Sequence, residues 1–266
     1  MLHLCLSSGI SGSINSARLA QEELAAKYPE RKLYIVDSLA ASSGYGLLMD
    51  KLADLRDEGM DIDQLRDWAD ENKLRLHHWF FSTDLTFYVK GGRVSKASGF
   101  VGTLLNICPL LNVSNEGKLI PRFKIRGKNK VIKEIVAKME AFADGRENYD
   151  GKCYICHSAI MDAASEVARL VEERFPKLNG KVLINSIGTT IGSHTGPGTV
   201  AQFFWGDKRE NCQCTKGVRR HVDHRNLRRK RQRQEYFGTG IVQSHRRGLY
   251  RHQSRQLLSQ SSPPVL

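Results

Sequence analysis

The chain has 266 residues, 40% of them hydrophobic, and a formal net charge of +13; this length can bury a core without metal or disulfide staples, and no apolar run reaches the ~20 residues of a membrane span. The opening Met1-Leu2-His3-Leu4-Cys5-Leu6 lacks a basic lead-in and a small-residue cleavage site, so no signal peptide is expected, and six scattered cysteines fit reduced thiols in a cytoplasmic protein. The charge is uneven: residues 211–266 hold 13 Lys+Arg against Asp223 and Glu235 alone, which leaves residues 1–210 at only +2 and confines any polyanion reading to the tail.

Leu2–Leu6 is a continuous apolar run ending in Ser7-Ser8-Gly9, the pattern of a buried strand entering a tight turn. Ser13 is the expected N-cap of a helix to Ala26. Lys32–Asp37 predicts a second buried strand, Ser42/Ser43 open a helix to about Arg56, Asp61 or Asp63 starts another to about Asn72, and Trp79–Ser82 predicts a further strand. Strands alternating with helices imply βαβ units and a parallel sheet.

The pattern changes after Lys90, where Gly91-Gly92 interrupts the chain. Ala97–Ile107 is a small-residue helix candidate. Pro109–Val113 and Lys118–Ile125 flank Asn115-Glu116-Gly117, a hairpin signal. Val131, Ile132, Ile135, Val136, Met139 and Phe142 share one helical face, as do Ala164, Val167, Ala168, Val171 and Phe175. Lys152–His157, Val182–Ser186 and Thr199–Trp205 predict strands. The division expected is an α/β domain over residues 1–83, a second over 84–209, and a disordered basic tail over 210–266. The tail has 11 Arg to 2 Lys where residues 1–210 have 12 Arg to 16 Lys, and this switch marks the boundary. The tail is too poor in apolar surface to offset its ordering entropy.

Two stretches suggest an anion site. Ser7-Ser8-Gly9-Ile10-Ser11-Gly12 lies between strand and helix, where free N–H groups, hydroxyls and glycines suit a carboxylate or phosphate; an ordinary capped turn would read the same. Gly192-Ser193-His194-Thr195-Gly196-Pro197-Gly198 reads as a long loop whose His could donate to an anion, or only bond a carbonyl. Arg93, in Gly91-Gly92-Arg93-Val94-Ser95-Lys96, sits at a joint where it could meet an anion or a partner, or simply stay solvated. Cys153-Tyr154-Ile155-Cys156-His157 spells a haem-attachment motif, but on a predicted strand its side chains alternate faces, so neither haem nor a redox pair is expected. No Walker loop, dinucleotide fingerprint or ordered catalytic triad occurs, so no enzyme is expected.

Taken in order, Leu6-Ser7-Ser8-Gly9-Ile10-Ser11-Gly12, Val36-Asp37-Ser38-Leu39-Ala40-Ala41-Ser42-Ser43-Gly44, Gly91–Lys96, Leu104–Leu111 and Ile191–Thr199 resemble the DegV family of bacterial fatty-acid-binding proteins, over residues 1 to about 209. The resemblance implies a two-domain DegV-like (EDD) α/β fold with an acyl chain between the domains. It assigns the fatty-acid carboxylate to Ser7, Ser8, His194 and Thr195, and gives Arg93 to the ligand or to a partner. It implies a monomeric lipid carrier with no cofactor or metal, which presents its fatty acid to a separate fatty acid kinase for phospholipid synthesis. Family members begin with a further segment carrying a strand and a threonine-bearing loop, so the parallel sheet of the N-terminal domain is expected to be truncated. Two other readings remain: non-specific nucleic-acid binding through the Arg-rich tail, with no specific nucleic-acid partner, and a non-functional gene fragment.

Overall fold

The computed structural model describes residues 1–96 and 106–209. The helix expected over Ala97–Ile107 lies mostly outside them, and the tail expected to be disordered lies wholly outside. Described residues belong to one compact unit.

The chain opens β1 (Leu2–Cys5), α1 (Ser13–Lys27), β2 (Tyr34–Asp37), α2 (Ser42–Asp57) and α3 (Ile62–Asn72). β1 and β2 pair in parallel, Leu4 beside Val36, as the βαβ reading requires. α3 starts where its chemistry says: the Asp61 carboxylate accepts from the Asp63 and Gln64 amides while Gln64 reaches back to the Asp61 N–H. α1 differs from expectation. Ser13 is its first helical residue and Gly12 its N-cap, and the Ser13 hydroxyl accepts from Ser11 Oγ instead of capping.

The larger difference is β3 (Leu76–Ser82). It does not extend the small sheet. It pairs antiparallel with β8 (Thr199–Trp205) on one side and β4 (Ile107–Val113) on the other. With β5 (Leu119–Arg126), β6 (Tyr154–Ser158) and β7 (Leu183–Ser186) they form a six-stranded, mostly antiparallel sheet ordered β5-β4-β3-β8-β6-β7. The expected boundary at residues 83/84 falls just past this central strand, so the larger sheet draws on both sides of it. Local sequence could not reveal this, because every β3 residue is buried and the strand therefore lacks the alternation that would assign a face.

Both sheet faces are covered. α5 (Lys128–Phe142) and α6 (Met161–Arg174) pack Val131, Ile135, Met139, Val167 and Val171 against Trp79, Phe81, Ile155 and Phe204. On the opposite face, Leu47, Leu48 and Leu52 of α2 and Leu65 of α3 cover Leu76, Phe80, Leu111 and Phe203. Each such side chain contributes roughly 1.5–3 kcal/mol on burial. The two remaining α-helices, α4 (Thr86–Lys90) and α7 (Thr189–Thr195), are short, and the predicted hairpin joins β4 to β5. At the far end Arg209 is buried, donating to the Val113, Ser114 and Lys73 carbonyls; that burial holds its guanidinium down to about 10.

Candidate functional site

The face of the large sheet beneath α2 carries an apolar cavity. Its floor comes from alternate residues of three strands, His78 and Phe80 of β3, Thr199, Ala201 and Phe203 of β8, and Cys156 of β6. Ala41 and Ser42 at the start of α2 form one wall, Ile191, His194 and Thr195 of α7 another, and Leu6, Ile10 and Ser11 of the first turn a third.

The Ser7–Gly12 turn is fixed by a neighbouring turn. Ser7 is fully buried and its hydroxyl donates to the Gly117 carbonyl at 2.8 Å. Gly117 has φ +72°, and a Cβ there would fall on Ser7 Oγ; a Cβ on Gly9 would come within 2.4 Å of the Glu116 carbonyl. The glycines therefore let two turns pack backbone against backbone. Ser8 is exposed, and its amide donates to Asp37 Oδ1 at 3.2 Å. Neither serine side chain lines the cavity; their neighbours Leu6, Ile10 and Ser11 do.

Arg93 joins the distant stretches. Its guanidinium donates to the Ile10 carbonyl at 3.0 Å and the Gly91 carbonyl at 2.6 Å, and stands 3.4 Å from His194 Nδ1. Arg93, His194 and Thr195 line one cavity. His194 is not in a loop, as the glycines on either side of it suggested, but on the last turn of α7, which packs beside α4. Thr195 is 8% exposed, and its Oγ1 has no hydrogen-bond partner. A buried hydroxyl with no protein partner costs roughly 1–3 kcal/mol, so this hydroxyl is left free to donate.

Sequence reading missed five polar liners: Ser42, His78, Tyr88, Thr190 and Thr199. Ser42 holds a left-handed φ of +53° and donates to Cys156 Sγ at 3.1 Å. Tyr88 OH and Thr199 Oγ1 bond each other at 3.1 Å; burial in an apolar wall keeps the phenol neutral by raising it well above its usual range. His78 carried a signal of its own, since a histidine inside the run Leu-His-His-Trp-Phe-Phe needs a reason. Cys153 and Cys156 face opposite cores, Cys153 toward α5 and α6 and Cys156 toward the cavity, so they cannot share a metal or a disulfide. Among the described residues, no group of His, Cys, Asp and Glu could hold a metal, and no helix is long and apolar enough to cross a membrane.

The family model described as an uncharacterised protein of the DegV family matches residues 1–207. A DegV domain-containing protein of Clostridium perfringens is 38% identical over 211 residues, covering 79% of this chain and 71% of the relative. Among solved structures, a fatty-acid-binding DegV family protein from Thermus thermophilus is similar at 30% identity and a TM-score of 0.69, covering 77% of this chain and 70% of that one. The Streptococcus pneumoniae Fatty Acid Kinase (Fak) B3 protein loaded with linoleic acid is similar in fold, at 24% identity and a TM-score of 0.69, covering 77% of this chain and 71% of that one.

Proposed function

We infer that this chain, which belongs to the DegV family across residues 1–207, carries a long-chain fatty acid in the cavity beneath α2. The observation behind this reading is the pairing of an apolar floor with one polar wall, where the unpartnered Thr195 hydroxyl stands with His194 and Arg93. Burying hydrocarbon gains about 0.8 kcal/mol per CH₂. A carboxylate buried with it needs charge-assisted hydrogen bonds, which a hydroxyl, an imidazole and a guanidinium supply. Thr195 donates its hydroxyl hydrogen, Arg93 provides the positive charge of the site, and His194 provides a ring N–H donor. Ser7 and Ser8 shape the first turn, Ser7 through its bond to Gly117 and Ser8 through Asp37. The likeness to a fatty-acid-binding DegV protein supports the ligand class.

The same reading makes the protein a carrier and not a catalyst. No described carboxylate orients His194; its polar neighbour is Arg93, a cation, which is the wrong partner for a general base. A carrier holding the carboxylate beside the outward-facing Ser8 turn can offer it to a fatty acid kinase, and we place kinase docking there.

Mass spectrometry of lipid extracted from the gently purified full chain tests the reading. Fatty acid should be recovered, and His194→Ala, Thr195→Val and Ser7→Ala should each lower the amount retained. Folded protein that holds no lipid, or holds it equally in all three variants, overturns the assignment.

A further inference from the structure

Much of the Arg93 guanidinium is engaged by the protein itself. Nη2 donates to the Ile10 carbonyl at 3.0 Å, and Nη1 donates to the Gly91 carbonyl at 2.6 Å. The same Nη1 stands 3.4 Å from His194 Nδ1. A guanidinium has N–H groups and no lone pair, so the nitrogen it faces must accept. A neutral imidazole carries one N–H and one lone pair. With the lone pair at Nδ1, its hydrogen sits on Nε2, whereas an Nδ1–H would set donor against donor.

Packing holds the ring in this pose. Gly91 lies against it so closely that a Cβ there would come within 2.5 Å of Nδ1 and 3.3 Å of Cγ. Nδ1 is therefore enclosed by Gly91 and Arg93. Nε2, on the far side of the ring, has no hydrogen-bond partner among the described residues and is not enclosed. His194 lines the cavity next to Thr195, and with its Nδ1 edge taken, the Nε2 edge is the one a ligand meets.

We propose that Arg93 is a positioning residue that fixes His194 as the Nε2–H tautomer, so that the ring donor offered to the ligand's acid comes from Nε2. Arg93 then acts on the acid through His194 as well as by its own charge. The proposal rests on the fatty-acid reading above and adds how the imidazole donor is set.

The first test is nitrogen-15 NMR of the lipid-free full chain at about pH 8.5, above the ordinary imidazole range, with the His194 signals assigned by their loss in His194→Phe. The wild type should show hydrogen on Nε2 and a lone pair on Nδ1. Arg93→Met should move both signals toward the average of exchanging tautomers, and Arg93→Lys, which keeps a donor and the charge, should restore part of the shift. The second test is oleate binding by the two single variants and the double variant. Arg93→Met should weaken binding about tenfold in the wild type but only about threefold in His194→Phe, because a residue that acts through another loses effect once that other is gone. Hydrogen on Nδ1 in the wild type, a tautomer that Arg93→Met leaves unchanged, or an equal loss in both backgrounds overturns the proposal. If Arg93→Met fails to fold, the wild-type and Arg93→Lys spectra still decide. Failure of the underlying reading looks different: the wild type would bind no oleate while its spectrum still showed the Nε2 hydrogen.

Discussion

His77 and His78 are neighbours on β3 that face opposite sides of the sheet and solve burial differently. His77 lies between Phe142 and Phe204, and its Nε2 donates to the Asp207 carbonyl at 2.8 Å. Burial lowers it from 6.5 to about 4, and His78 shifts the same way. Below pH 6.5 the unfolded chain gains protons that the folded chain refuses, so this stability is complete above 6.5 and drains away as pH falls toward about 4. Each such proton contributes a slope of about 1.4 kcal/mol per pH unit. Thermal melts from about pH 7 to 5, above the range where carboxylates titrate, should show stability falling with acidity, and a shallower slope in His77→Phe, which keeps the stack but cannot titrate. Thr195 gives a second residue-scale expectation. Thr195→Val keeps the shape and removes a buried hydroxyl that has no protein partner, so stability should rise, by up to roughly 1–3 kcal/mol, while fatty-acid affinity falls about tenfold. Isothermal titration paired with urea unfolding separates the two effects.

At the scale of elements, caps and turns divide into those that hold the fold and those that hold the cavity. The Asp61–Gln64 capping box starts α3, which covers the sheet from outside α2 and lines no part of the cavity. Asp61→Ala should therefore cost about 1 kcal/mol in urea unfolding and leave fatty-acid binding unchanged. The Ser7–Gly12 turn is the reverse case. Gly9→Ala would drive a methyl into the Glu116 carbonyl, and the turn must retreat, taking Ile10 and Ser11 from the cavity wall and the Ile10 carbonyl from Arg93. Its lipid retention should fall further than its stability predicts, and extraction with mass spectrometry alongside a melt reads both.

At the scale of the molecule, charge and cavity separate along the chain. Residues 211–266 hold a net +11, while the body that carries the cavity is near neutral. A chain ended after residue 210 keeps Arg209 and its three carbonyl contacts at the junction of β3 and β4. It should retain fatty acid as the full chain does and lose most salt-sensitive retention on a polyanion column, since that attraction comes from counterion release. Loss of lipid on removing the tail would contradict the placement of the cavity wholly within the DegV-matching residues.

Much of this was legible without coordinates because it rests on local chemistry. The apolar run before Ser7, the Asp61 cap, the Asn115–Gly117 turn and the 3.6-residue stripes of α5 and α6 each act on neighbours a few residues away, and those elements stand where the sequence puts them. The ordered motifs also carried the family. Only the tertiary structure decided the rest, for one physical reason: a strand's partners and a side chain's partners are set by which distant segments compete for them. β3 joins β8 and β4 because those strands and two layers of helices bury both its faces, and nothing within Leu76–Ser82 specifies that. The same holds for the site, where Ser7 is satisfied by Gly117, Arg93 reaches Ile10 and His194, and Thr195 is left unmatched on one wall of a cavity that no stretch of sequence contains.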